Sequence, residues 1–130
     1  MLRRLVVAYD FSEHADDALA WAIDLARTVN ATVTLAHVMA GPSDGPKFLE
    51  ATRELARVAD EVGPDVASHV IEGDAPAEAL VRFSDETAAD AIVVATRALG
   101  TLQRWLVGSV TDELIRQAHC PVMVVRADDD

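Results

Sequence analysis

Four short stretches of this chain combine chemically useful side chains with a position beside an apolar run. Asp10-Phe11-Ser12, Val38-Met39-Ala40 and Ala95-Thr96-Arg97-Ala98 each follow a segment rich in aliphatic residues, and Gly108-Ser109-Val110 opens a stretch of helical spacing. A glycine and a hydroxyl at a helix start suit a phosphate. The first-turn N–H groups have no partner within the helix, they carry partial positive charge, and glycine lets an anion come close. Ser109 and Asp112 also have capping-box spacing, so an ordinary helix cap explains the same residues. Asp10 can accept from a ligand amino or hydroxyl group, or close an Asx turn into the next helix together with Ser12. Arg97 and Arg104 are the positive charges of the 95–110 segment, as counter-ions for a phosphate or as solvated loop charges.

Other groups carry less. His14, His37, His69 and His119 have no metal-ligand spacing, and His37 reads as structural at a strand end. Cys120 is the single cysteine. It excludes an internal disulfide and reads as a small buried apolar residue. Trp21 and Trp105 read as packing or interface residues. No Ser/His/Asp arrangement follows from the spacing, so no catalytic residue is assigned and no general base is apparent. The G-x-G-x-x-G and G-x-x-x-x-G-K-[ST] fingerprints do not occur after the first apolar run.

The elements that must position these residues alternate in type. Leu5–Tyr9 reads as a strand. From Ser12 a helix carries Ala15, Ala18, Leu19, Ala22, Ile23, Ala26 and Val29 at i, i+3, i+4, i+7 spacing. Thr32–Val38 is a second strand. After a Gly/Pro-rich turn, Phe48, Thr52, Leu55, Ala59 and Val62 stripe a second helix, which Gly63-Pro64 stops. Val66–Glu72 is a third strand, expected near one end of the sheet. Gly73-Asp74-Ala75-Pro76 turns into a helix with Ala77, Leu80, Val81, Ser84 and Ala88 inward, capped at Asp74 or Ala75 with Pro76 in its first turn. Ala91–Ala95, apolar on both faces, is a central strand. A loop is expected up to Gly108, then a helix from Ser109, and Pro121–Val125 is the fifth strand. Crossovers of this length require parallel pairing with helices on both faces. The fold class is therefore α/β, a five-stranded parallel sheet in one domain, 1–130. Ligands of such sheets sit outside the carboxyl ends of the strands, at the switch in strand order.

Composition narrows the partners. The formal net charge is −11 over 130 residues, and Lys47 is the only lysine among 11 basic residues. Nucleic acid and anionic lipid both require clustered basic residues, so neither is an expected partner. About half the residues are hydrophobic (51%), enough for one core at this length. The apolar run after Arg3-Arg4 is too short for a signal peptide, no stretch approaches membrane-spanning length, and a cytoplasmic location is expected.

Read together, five pieces in order resemble the universal stress protein family along nearly the whole chain. Val7-Ala8-Tyr9-Asp10-Phe11-Ser12 is similar to its first strand and aspartate, and Leu35-Ala36-His37-Val38 to the end of its second strand. Gly73-Asp74-Ala75-Pro76 is similar to its turn before helix three. The 95–110 segment resembles its Gly-x2-Gly-x9-Gly-[Ser/Thr] signature, and His119-Cys120-Pro121-Val122-Met123-Val124-Val125-Arg126 its closing strand. The resemblance implies a Rossmann-like fold and, in the ATP-binding branch, a nucleotide, with Mg as a companion ion. Asp10 and Val38 would hold the adenine, positions 95 and 98 would border ribose and phosphates, and Gly108, Ser109 and Val110 would hold the phosphates. It further implies a homodimer paired through Val122, Met123, Val124 and Val125, an exposed apolar edge. The chain departs from the signature at Ala95 and Ala98, where the family has glycine. A methyl group there narrows the approach of a ligand, and at φ > 0 alanine costs about 1 kcal/mol. The departure leaves a second expectation open, a dimeric adaptor of the same family that takes no nucleotide.

Overall fold

The computed structural model describes residues 1–99, 104–106 and 109–127. Strands β1 (Arg4–Ala8), β2 (Thr32–Met39), β3 (Val66–Glu72), β4 (Ala91–Leu99), β5 (Arg104–Leu106) and β6 (Val122–Ala127) alternate with helices α1 (Glu13–Val29), α2 (Pro46–Val62), α3 (Pro76–Glu86) and α4 (Ser109–Gln117). Strands β3, β2, β1, β4 and β6 lie side by side and parallel. Strand order thus reverses between β1 and β4, which is the switch point of a doubly wound sheet. As expected, β3 is at one end of the sheet and β6 pairs only with β4 among the described strands.

Alternation along each strand divides the core between two faces. Leu5, Val7, Val33, Leu35, Ala91 and Val93 pack under α1 and α2, against Ala18, Ala22, Leu55 and Ala59. Val6, Ala36, Ile92 and Val94 pack under α3 and α4, against Leu80, Val81 and Leu114. Small residues on α1 let it lie close on the sheet. Ser12 caps it by accepting the Ala15 N–H at 3.1 Å, and Asn30 in the left-handed region ends it. Ala75 is the N-cap of α3 without a side-chain bond, and Pro76 occupies its first turn. No described helix is long and apolar enough to cross a membrane.

Two expectations require correction. Ala88 is exposed and lies beyond α3, at φ 55. The helix has ended by then, because Thr87 turns its hydroxyl back onto the Phe83 carbonyl at 2.8 Å and serves as the C-cap. Inward positions of α3 also include Ala79 and Phe83. The segment after Ala95 is not all loop. β4 runs on to Leu99, and β5 pairs antiparallel with it through Arg97↔Leu106, Ala98↔Trp105 and Leu99↔Arg104. Antiparallel strands need only a short connection, and Trp is a residue type enriched in strands. Arg97 also pairs with Ala127 of β6. β5 is therefore on the opposite edge of β4, the edge that β1 shares lower down.

Candidate functional site

A cavity of about 520 Å³ opens at the carboxyl ends of β1, β2 and β4, beside the switch point. It gathers Asp10, Val38, Ala95 and Val110 from separate parts of the chain, all of them picked out in the sequence. Most of its wall is apolar, with Ala8, Ala36, Pro76, Leu80 and Val94 contributing. The remainder is polar but carries little charge: Ser12, His14, His37, Thr96 and Thr111. An apolar concavity with a few convergent polar groups is the usual form of a small-molecule site.

The β1–α1 turn aims Asp10. Its Oδ1 accepts the Ser12 N–H at 3.1 Å and the Ser12 hydroxyl as well. The Ser12 oxygen in turn accepts from Ala15. The Asx turn and the cavity-lining position thus coexist in one exposed carboxylate. Between these two residues Phe11 has φ 66, a left-handed conformation that costs an L-residue about 1–2 kcal/mol. Its ring meets Tyr9 edge-on with centroids 5.2 Å apart, and His37 likewise at 4.9 Å. Such pairs each return about 0.5–1.5 kcal/mol, enough to offset the backbone strain.

Beneath this turn the strand ends are tied together. His37 Nδ1 is 2.8 Å from the Tyr9 carbonyl oxygen. A carbonyl only accepts, so Nδ1 carries the proton and donates. His37 is thus structural, as expected, and also lines the cavity. The Tyr9 hydroxyl donates to Asp16 Oδ1 at 2.5 Å. Burial first, then the bond to Asp16 and the neighbouring carboxylates, push its pKa well above the usual tyrosine value. Tyr9 therefore remains a neutral donor.

On the far side, α4 begins at Ser109 and turns Val110 and Thr111 to the cavity. Arg97 and Ala98 belong to β4 by backbone pairing, and their side chains, with that of Ser109, lie outside the described set. Gly108 lies outside the described residues. Sequence reasoning missed His14 and Thr111, and gave Thr96 no role of its own within the stretch it named after β4. Helical position held a signal for two of them: His14 and Thr111 each stand two residues beyond a serine at a helix start. Thr96 is 7% exposed and Thr111 7%, which places buried hydroxyl residues where a threonine is more often read as β-forming filler.

Outside the cavity, His69 stacks on Phe83 with centroids 5.0 Å apart, and His119 Nδ1 meets Asp85 at 2.9 Å on the surface. Cys120 is half-buried. Burial pushes its thiol up, and a hydrogen bond to Ser84 returns part of the shift. Among the described residues no group of three or more His, Cys, Asp or Glu side chains is placed to hold a metal ion.

Fold and cavity together define an α/β domain of the Rossmann-like type with a cleft at its strand-order switch. The family model described as "Universal stress protein family" matches residues 1–126, and the chain belongs to that family. A universal stress protein of Methanocaldococcus jannaschii is 30% identical, with 97% of this chain and 83% of the relative covered. Among solved structures, a universal stress protein from Archaeoglobus fulgidus in complex with dAMP superposes with a TM-score of 0.73 at 24% identity, covering 96% of this chain and 98% of that one. A universal stress protein in complex with cAMP gives a TM-score of 0.72 at 21% identity, covering 95% and 96%. At such identities these two structures speak for the fold.

Proposed function

We propose that this chain, as one universal stress protein domain over 1–130, is a cytoplasmic regulatory module of the stress response whose cavity takes an adenine nucleotide. The observation that carries the reading is the convergence of Asp10, Val38, Ala95 and Val110 on one cavity at the strand-order switch. Val38, Ala36 and Leu80 offer an apolar wall to a base, and Asp10 offers an acceptor to an amino or ribose hydroxyl group. Gly108, Ser109 and Val110, at the amino-terminal tip of α4, would hold phosphate through backbone N–H groups, with Arg97 as countercharge. The dAMP and cAMP held by the two solved relatives support the ligand class. For ATP, Mg²⁺ would travel on the phosphate oxygens, as that ion commonly does. The module acts as a homodimer through β6, an edge strand on which Val124 is 38% exposed.

Calorimetric titration with AMP, and with ATP and Mg²⁺, tests this. Saturable binding is expected, weakened about tenfold or more, or ~1.4 kcal/mol, by Gly108→Val. No heat at millimolar nucleotide overturns it. The Ala95 methyl on the cavity wall favours a second reading, an adaptor of the same fold without nucleotide. In that case the double variant Ala95→Gly, Ala98→Gly gains an affinity that the native chain lacks.

A further inference from the structure

Asp10 is one of a pair of consecutive residues, and the second, Phe11, is the most unusual backbone position at the cavity. A bulky aromatic at φ 66 is an outlier, and such outliers persist only where their surroundings over-determine them. Here the surroundings are identifiable. Phe11 is 39% exposed, so burial alone does not hold it. Edge-to-face contacts with Tyr9 and His37 do. Both partners are themselves fixed, Tyr9 through Asp16 and His37 through the Tyr9 carbonyl. On either side of Phe11, Asp10 and Ser12 line the cavity and are joined by two hydrogen bonds to one carboxylate oxygen. Rotating Phe11 out of the left-handed region would swing Ser12 away from Asp10 and release the carboxylate.

We infer that Phe11 is a positioning residue, whose ring, clamped by Tyr9 and His37, holds the turn in its left-handed form so that the Asp10 carboxylate faces the cavity. This rests on the nucleotide reading above for its ligand, and on the geometry of the turn alone for its mechanism. Phe11 acts through Asp10 and not by touching the ligand, which makes its effect conditional on the carboxylate.

The test is a double-mutant cycle read by AMP titration, with amide hydrogen exchange at Ser12 as the second measurement. Phe11→Gly removes the clamp and should weaken AMP about tenfold. In an Asp10→Ala background the same change should add nothing, because the group it positions is gone. Phe11→Tyr keeps the ring and should restore native affinity. Native Ser12 N–H, bonded to Asp10, should exchange about tenfold more slowly than in Phe11→Gly. Equal loss from Phe11→Gly in both backgrounds, or unchanged affinity and exchange, overturns the inference. If the native chain takes up no AMP, the nucleotide reading falls, and Ser12 exchange alone decides the role of Phe11: unchanged protection in Phe11→Gly refutes it.

Discussion

At the amino end of the sheet, Asp90 stands just before β4 and accepts the backbone N–H groups of Arg3 and Arg4 at 2.8 and 3.0 Å. Its own N–H donates to the Arg4 carbonyl at 2.8 Å, and the Arg4 guanidinium reaches the Thr87 carbonyl at 2.9 Å. At the carboxyl end, Asp10 also accepts a backbone N–H, from Ser12, but its neighbours line an open cavity. Both aspartates are exposed or nearly so, and both serve turns. The difference lies in what surrounds the turn. Asp90 ties β1 to β4 where the two strands begin. Asp10 ties only its own turn, where β1 and β4 diverge at the reversal of strand order. A doubly wound sheet is therefore laced shut at one end and left open at the other, and its polar side chains take their roles from that asymmetry.

The largest effect expected from this contrast is on the closed side. Ile92, fully buried in β4 beside that end, should lose about 3–4 kcal/mol of stability as Ile92→Ala, measured by denaturant unfolding. Ligand affinity of the fraction that remains folded should be unchanged. Asp10→Asn is the converse. The amide oxygen still accepts from Ser12, so unfolding should move by less than about 0.5 kcal/mol, while AMP affinity falls about tenfold, or ~1.4 kcal/mol. Stability loss without affinity loss would erase the distinction between the ends.

A smaller effect comes from the strained turn. Phe11→Ala keeps the left-handed strain and discards the clamp, whereas Phe11→Gly discards both. The alanine variant should be less stable than the glycine variant by about 1 kcal/mol in parallel unfolding curves, an order that side-chain size alone would reverse.

The smallest concerns acid. The Arg3 and Arg4 backbone bonds hold the Asp90 carboxyl below the usual aspartate value of 3.8. A depressed folded pKa stabilises above the unfolded value and is lost as pH falls through the folded one. The stability gap between the native chain and Asp90→Asn should therefore be full at neutral pH and close on acidification. A gap that widens in acid would show that Asp90 is not the latch at that end.

The alternation of aliphatic runs and helical stripes made the layers legible in sequence, because one period belongs to strands and the other to helices. Asp10, Val38 and Ala95 were legible because parallel sheets open at their carboxyl ends, so position at the end of a strand already nominates a residue, and Val110 because it stands with Gly108-Ser109 at a helix start. The β4–β5 pairing was not legible. Arg97-Ala98-Leu99 and Arg104-Trp105-Leu106 are too short for their periodicity to separate strand from loop. For His14 and Thr111, two residues beyond a helix-opening serine, the signal in sequence was only partial. Which way a first-turn side chain points depends on where the helix starts relative to the sheet, and only tertiary packing sets that. Phe11 was hidden as well, since no local pattern marks a phenylalanine that must turn left-handed.

One measurement reaches the central claim most directly: backbone amide chemical-shift mapping of the native chain during titration with AMP. Shifts are expected at Asp10, Val38, Thr96 and Val110, around the mouth of the cavity, with Arg3, Arg4 and Asp90 at the laced end unmoved. Saturating shifts centred on the Asp90 end, or none anywhere at millimolar AMP, would contradict a nucleotide site at the open end of the sheet.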